Sequence, residues 1–233
     1  MRNLTNMIAG ALFATAIMAF TGISVTGQDP VKVDAKHYKV EFENDRVRVL
    51  RVNYGSKEKS IMHQHPEGVV IALTDTQTKF TLADGKTEER GFKAGETLWT
   101  PAGTHLPENL GEKPMQVILV ELKVGTGGGP MPAAVDDSAK VAAKHHKVEF
   151  ENERVRVLRA TIGPHEKTGM HAHPANVVIF LTDVQVKSTL ADGKAEETQG
   201  KAGQVSWRDP LKHDSENLSD RPLEVIIVEL KGK

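Results

Sequence analysis

The chain of 233 residues contains no cysteine. That excludes a disulfide scaffold, a zinc–thiolate site, an iron–sulfur cluster and a cysteine nucleophile. Any bound metal must rest on His, Asp or Glu, and an oxidising compartment makes no difference to the chain. Charge of one sign is also missing: 30 Lys and Arg stand against 31 Asp and Glu. Such a balance gives no basic surface for nucleic acid, and the short run Arg46-Val47-Arg48 alternates as the wet face of a strand does. No phosphate loop, nucleotide fingerprint or Ser-His-Asp arrangement stands out. After residue 30 no stretch carries a long amphipathic helical pattern.

What the chain does have is repetition. Residues 28–123 and 136–231 align without a gap at a constant offset of 108, and 56 of the 96 aligned positions are identical. That period exceeds the roughly 20–50 residues of solenoid and propeller repeats and suits a whole domain. The expected organisation is an N-terminal domain over 28–123 and a C-terminal domain over 136–233. Between them a Gly/Pro/Ala-rich linker over 124–143 overlaps the start of the second repeat. It reads as extended and flexible, its later part as a mobile arm or as a strand added to the neighbouring domain. Ahead of the first repeat, Met1-Arg2-Asn3 and the uncharged stretch that follows read as a signal peptide over 1–27, cut near Gly27. The competing reading is an uncleaved anchor, for which the apolar core is short of the ~20 residues a spanning helix needs. The expected location is periplasmic or secreted, with no stable membrane insertion after cleavage.

Within each copy the period is two. Phe42, Val47, Val49 and Arg51 lie in short alternating or β-branched runs, while Val69 to Leu73 and Val117 to Val120 are continuous apolar runs of strand length. The latter suit strands buried on both faces. Asp84-Gly85 and its twin Asp192-Gly193 are hairpin signals. Each copy is therefore expected to be an all-β domain of about eight to ten strands, closed as a barrel or double-sheet jelly roll.

Both copies contain Met-His-x-His-Pro, at Met62 to Pro66 and Met170 to Pro174. Side chains at i and i+2 of a strand share a face, so His63 points with His65, and His171 with His173. A later His-x-x-Glu-Asn supplies a third candidate, His105 and His213. Three neutral imidazoles suit Fe, Mn, Ni, Cu or Zn and leave open coordination positions. The plainer alternative is a pair of surface histidines beside a proline turn. Against it, all three histidines recur at the same offsets while their neighbours differ (Gln64 against Ala172, Glu67 against Ala175).

Gly55-x7-His63-x-His65, followed by Gly95-x5-Pro101-x-Gly103-x-His105-x3-Asn109, resembles the two motifs of the cupin superfamily, and the whole chain looks like a secreted bicupin. The resemblance implies two tandem jelly-roll barrels, each with a divalent transition metal inside its mouth. The implied ligands are His63, His65 and His105, and His171, His173 and His213. Many cupins add a glutamate about four residues after the second histidine. Val69 and Val177 occupy that place here, and Glu67 comes two residues too early. The implied site is three histidines without a carboxylate, as in cupins resembling thiol and diketone-cleaving dioxygenases; such a site favours anionic, bidentate substrates. In the second copy Asp209-Pro210-Leu211 replaces Pro101-Ala102-Gly103. That change is expected to re-aim the strand approaching His213, with Asp209 or Asp214 modifying the site, so the first domain holds its metal more securely.

Trp99 and Trp207 read as core, with pocket lining as the alternative. Asn109 and Asn217 read equally as orienters of a ligand histidine or as turn residues. Met62 and Met170 read as core, and His37, His145, His146 and His165 as exposed. The expected partner is a small-molecule ligand or substrate, and homo-oligomers remain open. Three functions compete: a metal-dependent oxidoreductase of dioxygenase type, a non-catalytic binding cupin, and a chain in which only one domain is active.

Overall fold

The computed structural model describes residues 28–125 and 128–232; the expected signal peptide over 1–27 lies outside the described residues. In chain order the first repeat forms the short helix α1 (Pro30–Val33) and the strands β1 (Tyr38–Glu43), β2 (Val47–Tyr54), β3 (His63–His65), β4 (Gly68–Ala72), β5 (Thr76–Leu82), β6 (Thr87–Phe92), β7 (Thr97–Thr100), β8 (Gly103–Asn109) and β9 (Met115–Leu122). The second repeat forms α2 (Ser138–Val141), β10 (His146–Glu151), β11 (Val155–Ile162), β12 (His171–His173), β13 (Asn176–Phe180), β14 (Val184–Leu190), β15 (Ala195–Gly200), β16 (Val205–Arg208), β17 (Leu211–Asn217) and β18 (Leu223–Leu230). Each repeat builds a five-stranded sheet, β1-β2-β9-β4-β7 or β10-β11-β18-β13-β16, and a four-stranded sheet, β3-β8-β5-β6 or β12-β17-β14-β15. This is the all-β, double-sheet barrel expected from the period of two. Both hairpin signals hold, with Gly85 at φ +83° and Gly193 at φ +85°, where a side chain would be strained.

The apolar runs are explained by burial on two faces. In β2, β4 and β9 one face lines the first barrel, with Leu50, Val52, Tyr54, Met115 and Leu119. The other face carries Val47, Val49, Val69, Ile71, Ile118, Val120 and Leu122 into a core shared with Val155, Val157, Val177, Ile179, Ile226, Val228 and Leu230. The two large sheets thus pack outer face to outer face, and the seven residues on one side are identical to their copies on the other. The contact is reciprocal. Arg51 donates to the Gly203 carbonyl at 2.6 Å and Arg159 to the Gly95 carbonyl at 2.7 Å. These are copies of one another, as a two-fold interface requires.

Trp99 and Trp207 pack against this shared core, Trp207 stacked on Phe42 at 5.9 Å. Val69 and Val177 also point into it, so they do not stand at the metal mouth; Val70 and Val178 face the cavities instead. Glu67, the glutamate without a twin, forms an ion pair with Arg154 between the repeats. Met170 is 40% exposed, so it is not the core residue expected; the β12 strand turns its inner face to the histidines and leaves Met170 at the rim. The later linker contains helix α2, capped by the Asp137 side chain accepting from the Ala139 N–H, in place of a wholly extended segment. Among the described residues no helix is long and apolar enough to cross a membrane.

Candidate metal centre

The β3 strand pairs antiparallel with β8 so that His63 lies directly opposite His105, and β12 pairs with β17 so that His171 lies opposite His213. Opposite residues share a face. All six motif histidines therefore point into their barrels. The changed turn at Asp209-Pro210-Leu211 leaves this register intact, contrary to expectation. Asp209 accepts from the Trp207 indole N–H at 3.1 Å, and Asp214 from the Gly169 N–H at 2.9 Å; neither hydrogen-bonds His213.

The two barrels differ in how the histidines meet. In the second, ligand nitrogens of His146, His171 and His173 lie within 4.8 Å of one another, and all three residues are buried. Among the described residues no other three His, Asp or Glu side chains converge this closely. His213 joins them, its ring centroid 4.7 Å from that of His171. Its Nε2 is buried with no hydrogen-bond partner among the described residues, which fits a metal ligand. Two imidazoles are fixed through Nδ1, that of His171 donating to the Gly169 carbonyl at 2.7 Å and that of His173 to Glu229 Oε1 at 2.6 Å. His146 Nδ1 lies 3.3 Å from the Ala142 carbonyl. Donation through Nδ1 leaves the Nε2 lone pair for a metal.

The expectation that His37, His145 and His146 are exposed fails, since all three are buried. His146 heads β10 and faces inward. His37 is clamped by Asp34 at 2.7 Å and Glu58 at 3.1 Å, and His145 lies 3.1 Å from the Thr161 carbonyl. Only His165 of the four lies on the surface. The residue aligned with His146 in the first repeat is Tyr38. A search for histidines shared by both copies passes over this position because it is where the copies differ.

In the first barrel His63 Nδ1 donates to the Ile61 carbonyl and His65 Nδ1 to the Pro66 carbonyl, both at 2.7 Å. The Tyr38 hydroxyl sits 3.1 Å from His63 Nε2 and 2.7 Å from the Tyr54 hydroxyl. Burial pushes both phenols up, so they stay protonated. The expectation that the first domain holds the more secure site is thus reversed in geometry: the close convergence lies in the second.

A buried acidic–basic chain supports the second site. Asp137 and Glu229 both pair with Arg156, and Glu229 continues to His173. Burial raises the Glu229 carboxyl to about 7 against the opposing pull of Arg156. In the first barrel Asp29, Arg48 and Glu121 repeat the chain, but it stops there: Glu121 Oε1 is buried without a partner and His65 is turned to its own neighbour. Glu229→Gln is therefore expected to weaken metal binding by roughly 10–100-fold, measured by chelator competition. Glu121→Gln is expected to leave it unchanged. Asn109 and Asn217 hold turns and hydrogen-bond no histidine among the described residues: Asn109 Nδ2 donates to the Gly55 and Lys113 carbonyls, and Asn217 Nδ2 to the Gly163 and Arg221 carbonyls.

Burial, reinforced by the neighbouring imidazoles, lowers His146 to about 2 and His173 and His213 to about 3. Imidazoles held neutral are ready ligands. The same shifts predict acid sensitivity. The unfolded chain takes up these protons below about pH 6.5 and the folded chain does not, so stability falls as pH drops from there toward 3. Melting temperature of the metal-free protein at pH 7, 5.5 and 4.5 should decline stepwise, and less steeply in His213→Gln. A flat profile would contradict the neutral cluster.

The second cavity measures about 130 Å³ and the first about 370 Å³. Phe180 in place of Ala72 helps fill the second. Arg208, where the first repeat has Thr100, lines the second cavity half-buried and makes no ion pair among the described residues. Its charge contributes to the lowering of His213.

No protein-family model matches the chain, and no curated protein sequence matches it. Solved structures do. AerE from Microcystis aeruginosa superposes with TM-score 0.63 at 13% identity, covering 84% of this chain and 93% of its own. A tryptophan-to-tyrosine variant of Bacillus subtilis oxalate decarboxylase gives 0.57 at 11% identity, over 81% of this chain and 70% of its own. A further form of that enzyme, studied for its Mn(II) centres, gives 0.55 at 12%, over 82% and 70%. Identities this low speak to fold alone. The duplicated double-sheet barrel, the inward histidines and these neighbours together identify the fold as that of the cupin superfamily, with two barrels in a bicupin-like arrangement.

Proposed function

We propose that this chain is a cell-envelope bicupin that holds one divalent transition metal in its second barrel and acts there on a small anionic molecule, in an oxidation of dioxygenase type. The observation that carries this reading is the convergence of His146, His171 and His173 beside the unpartnered Nε2 of His213. A bound ion would supply a Lewis acid and adjacent positions for substrate and dioxygen. The chain's own contribution is selection. An all-imidazole set leaves the ion's charge uncompensated, and Arg208 at the cavity wall offsets Glu196, which lines the same cavity, so the net positive charge draws anions in. A cavity of about 130 Å³ is close to the roughly 150 Å³ that accommodates benzene, which limits the ligand to a few heavy atoms. Leu190, Leu211, Val178 and Phe180 give the cavity an apolar wall beside the polar Ser188, Glu196 and Thr198. The names of the structural neighbours put oxalate among the anions to try and manganese among the metals, beside iron, nickel, copper and zinc.

Four histidines favour a second reading. A tetrahedral ion such as zinc would be saturated by His146, His171, His173 and His213, leaving no open position, and the protein would then be a metal- or ligand-binding cupin without catalysis. Metal content decides between them. Purified protein loaded separately with Mn, Fe, Ni, Cu and Zn is expected to retain about one equivalent, and oxygen uptake is then followed with diketones, thiols, phenols and oxalate. Retention of no metal would sink the proposal. Retention of zinc alone, with no oxygen uptake, would leave the binding role. The envelope location rests on residues 1–27 and is tested by the N-terminus of protein recovered from the periplasm.

A further inference from the structure

We infer that the residue heading the first strand of each barrel decides whether that barrel takes a metal: His146 makes the second barrel a metal site, and Tyr38 keeps the first metal-free. The inference rests on the reading that the second barrel binds metal. The two positions are aligned copies and occupy the same place in the sheet, Tyr38 pairing with Val52 and His146 with Ala160. Each side chain reaches the first histidine of the motif pair, Tyr38 at a ring distance of 4.8 Å from His63 and His146 at 4.7 Å from His171.

What they do there is opposite. His146 brings a nitrogen lone pair into the cluster. Tyr38 brings a hydroxyl proton. Because His63 Nδ1–H donates to the Ile61 carbonyl, His63 Nε2 is an acceptor, and the Tyr38 hydroxyl 3.1 Å away donates to it. The Tyr54 hydroxyl donates to Tyr38 in turn at 2.7 Å. The lone pair that a metal would need is thus already engaged by a relay of hydroxyls. The second barrel has no such relay, since Ile162 replaces Tyr54. Without the fourth histidine, and with His63 capped, the first barrel keeps a larger cavity walled by Tyr38, Tyr54, Phe80 and Phe92.

The test is an exchange. Metal per chain is measured by elemental analysis after loading with Mn or Zn and desalting, for wild type, Tyr38→His, His146→Tyr and His63→Ala. Expected are about one equivalent in wild type, about two in Tyr38→His, almost none in His146→Tyr, and no change in His63→Ala. Cobalt substitution gives a second readout, because a new set of d–d bands accompanies the site gained in Tyr38→His. Two equivalents in wild type, one of them lost in His63→Ala, would overturn the inference and leave the proposed function standing. No metal in wild type would overturn both. Should Tyr38→His not fold, the wild-type and His63→Ala stoichiometries still decide, as does full retention in a folded His146→Tyr protein, which would also overturn it.

Discussion

Ile226→Asp destabilises both barrels together. Ile226 is fully buried in the core shared by the two large sheets. Its partner across the strand pair, Arg159 on β11, is already held by Glu149, Glu224 and the Gly95 carbonyl, and forcing a carboxylate into the apolar core costs about 4 kcal/mol or more. The whole stability of a protein of this kind is about 5–15 kcal/mol. Because the core belongs to both repeats, the loss is not confined to the second. Denaturant unfolding of wild type, followed by far-ultraviolet circular dichroism, should show one transition, and the variant should also show one, with its midpoint far lower. The control is Val124→Asp, at a residue 92% exposed, where the change should stay within about 0.5 kcal/mol. A variant that loses only the second barrel, or a wild type with two separate transitions, would show that the shared face contributes little.

His171→Ala empties the metal site. His171 contacts His146, His173 and His213 at ring distances of 4.7–4.9 Å, so its removal takes away the central member of the cluster. Loss of an outer hydrogen-bond partner costs roughly 10–100-fold in affinity, and loss of a ligand costs more than that. Metal content after desalting should fall from about one equivalent to near zero. A cavity of about one imidazole is also created, yet the shared core lies behind the sheet and is untouched, so the barrel should remain folded. Unchanged metal content would place the ion elsewhere.

Much of the fold is legible in the sequence because a period of two and a duplicated chain leave few architectures open. The apolar run Val69 to Leu73 reads as a strand buried on both faces, and the structure adds which faces: one inside the barrel, one against the other repeat. That second partner is not visible in the sequence, so Val69 reads as a residue of the metal mouth when it belongs to the shared core. The inward direction of His63, His65, His105 and their copies follows from the i, i+2 rule and holds. His146 escapes sequence reasoning for a different reason. Its neighbour His145 has an identical copy in His37, whereas His146 itself aligns with Tyr38, and only the strand pairing shows which of the two adjacent side chains faces inward. The altered turn before β17 misleads as to that strand's register; the pairing of His171 with His213 is set by the strands and overrides the loop chemistry.

The interface between the repeats carries one more consequence. Its seven paired positions are the same on both sides, whereas the cavity walls differ at Tyr38 and His146, Tyr54 and Ile162, Ala72 and Phe180, Thr100 and Arg208. The molecule behaves as a homodimer written into one gene. In a true homodimer every substitution appears in both protomers, so neither cavity can change alone. Fusion removes that coupling for the interiors, each of which lies behind its own sheet. It leaves it in force at the contact, where a wrong residue on either side damages the common core. Drift is therefore tolerated in one place and penalised in the other, and a single polypeptide comes to hold two differently equipped chambers on an unchanged frame.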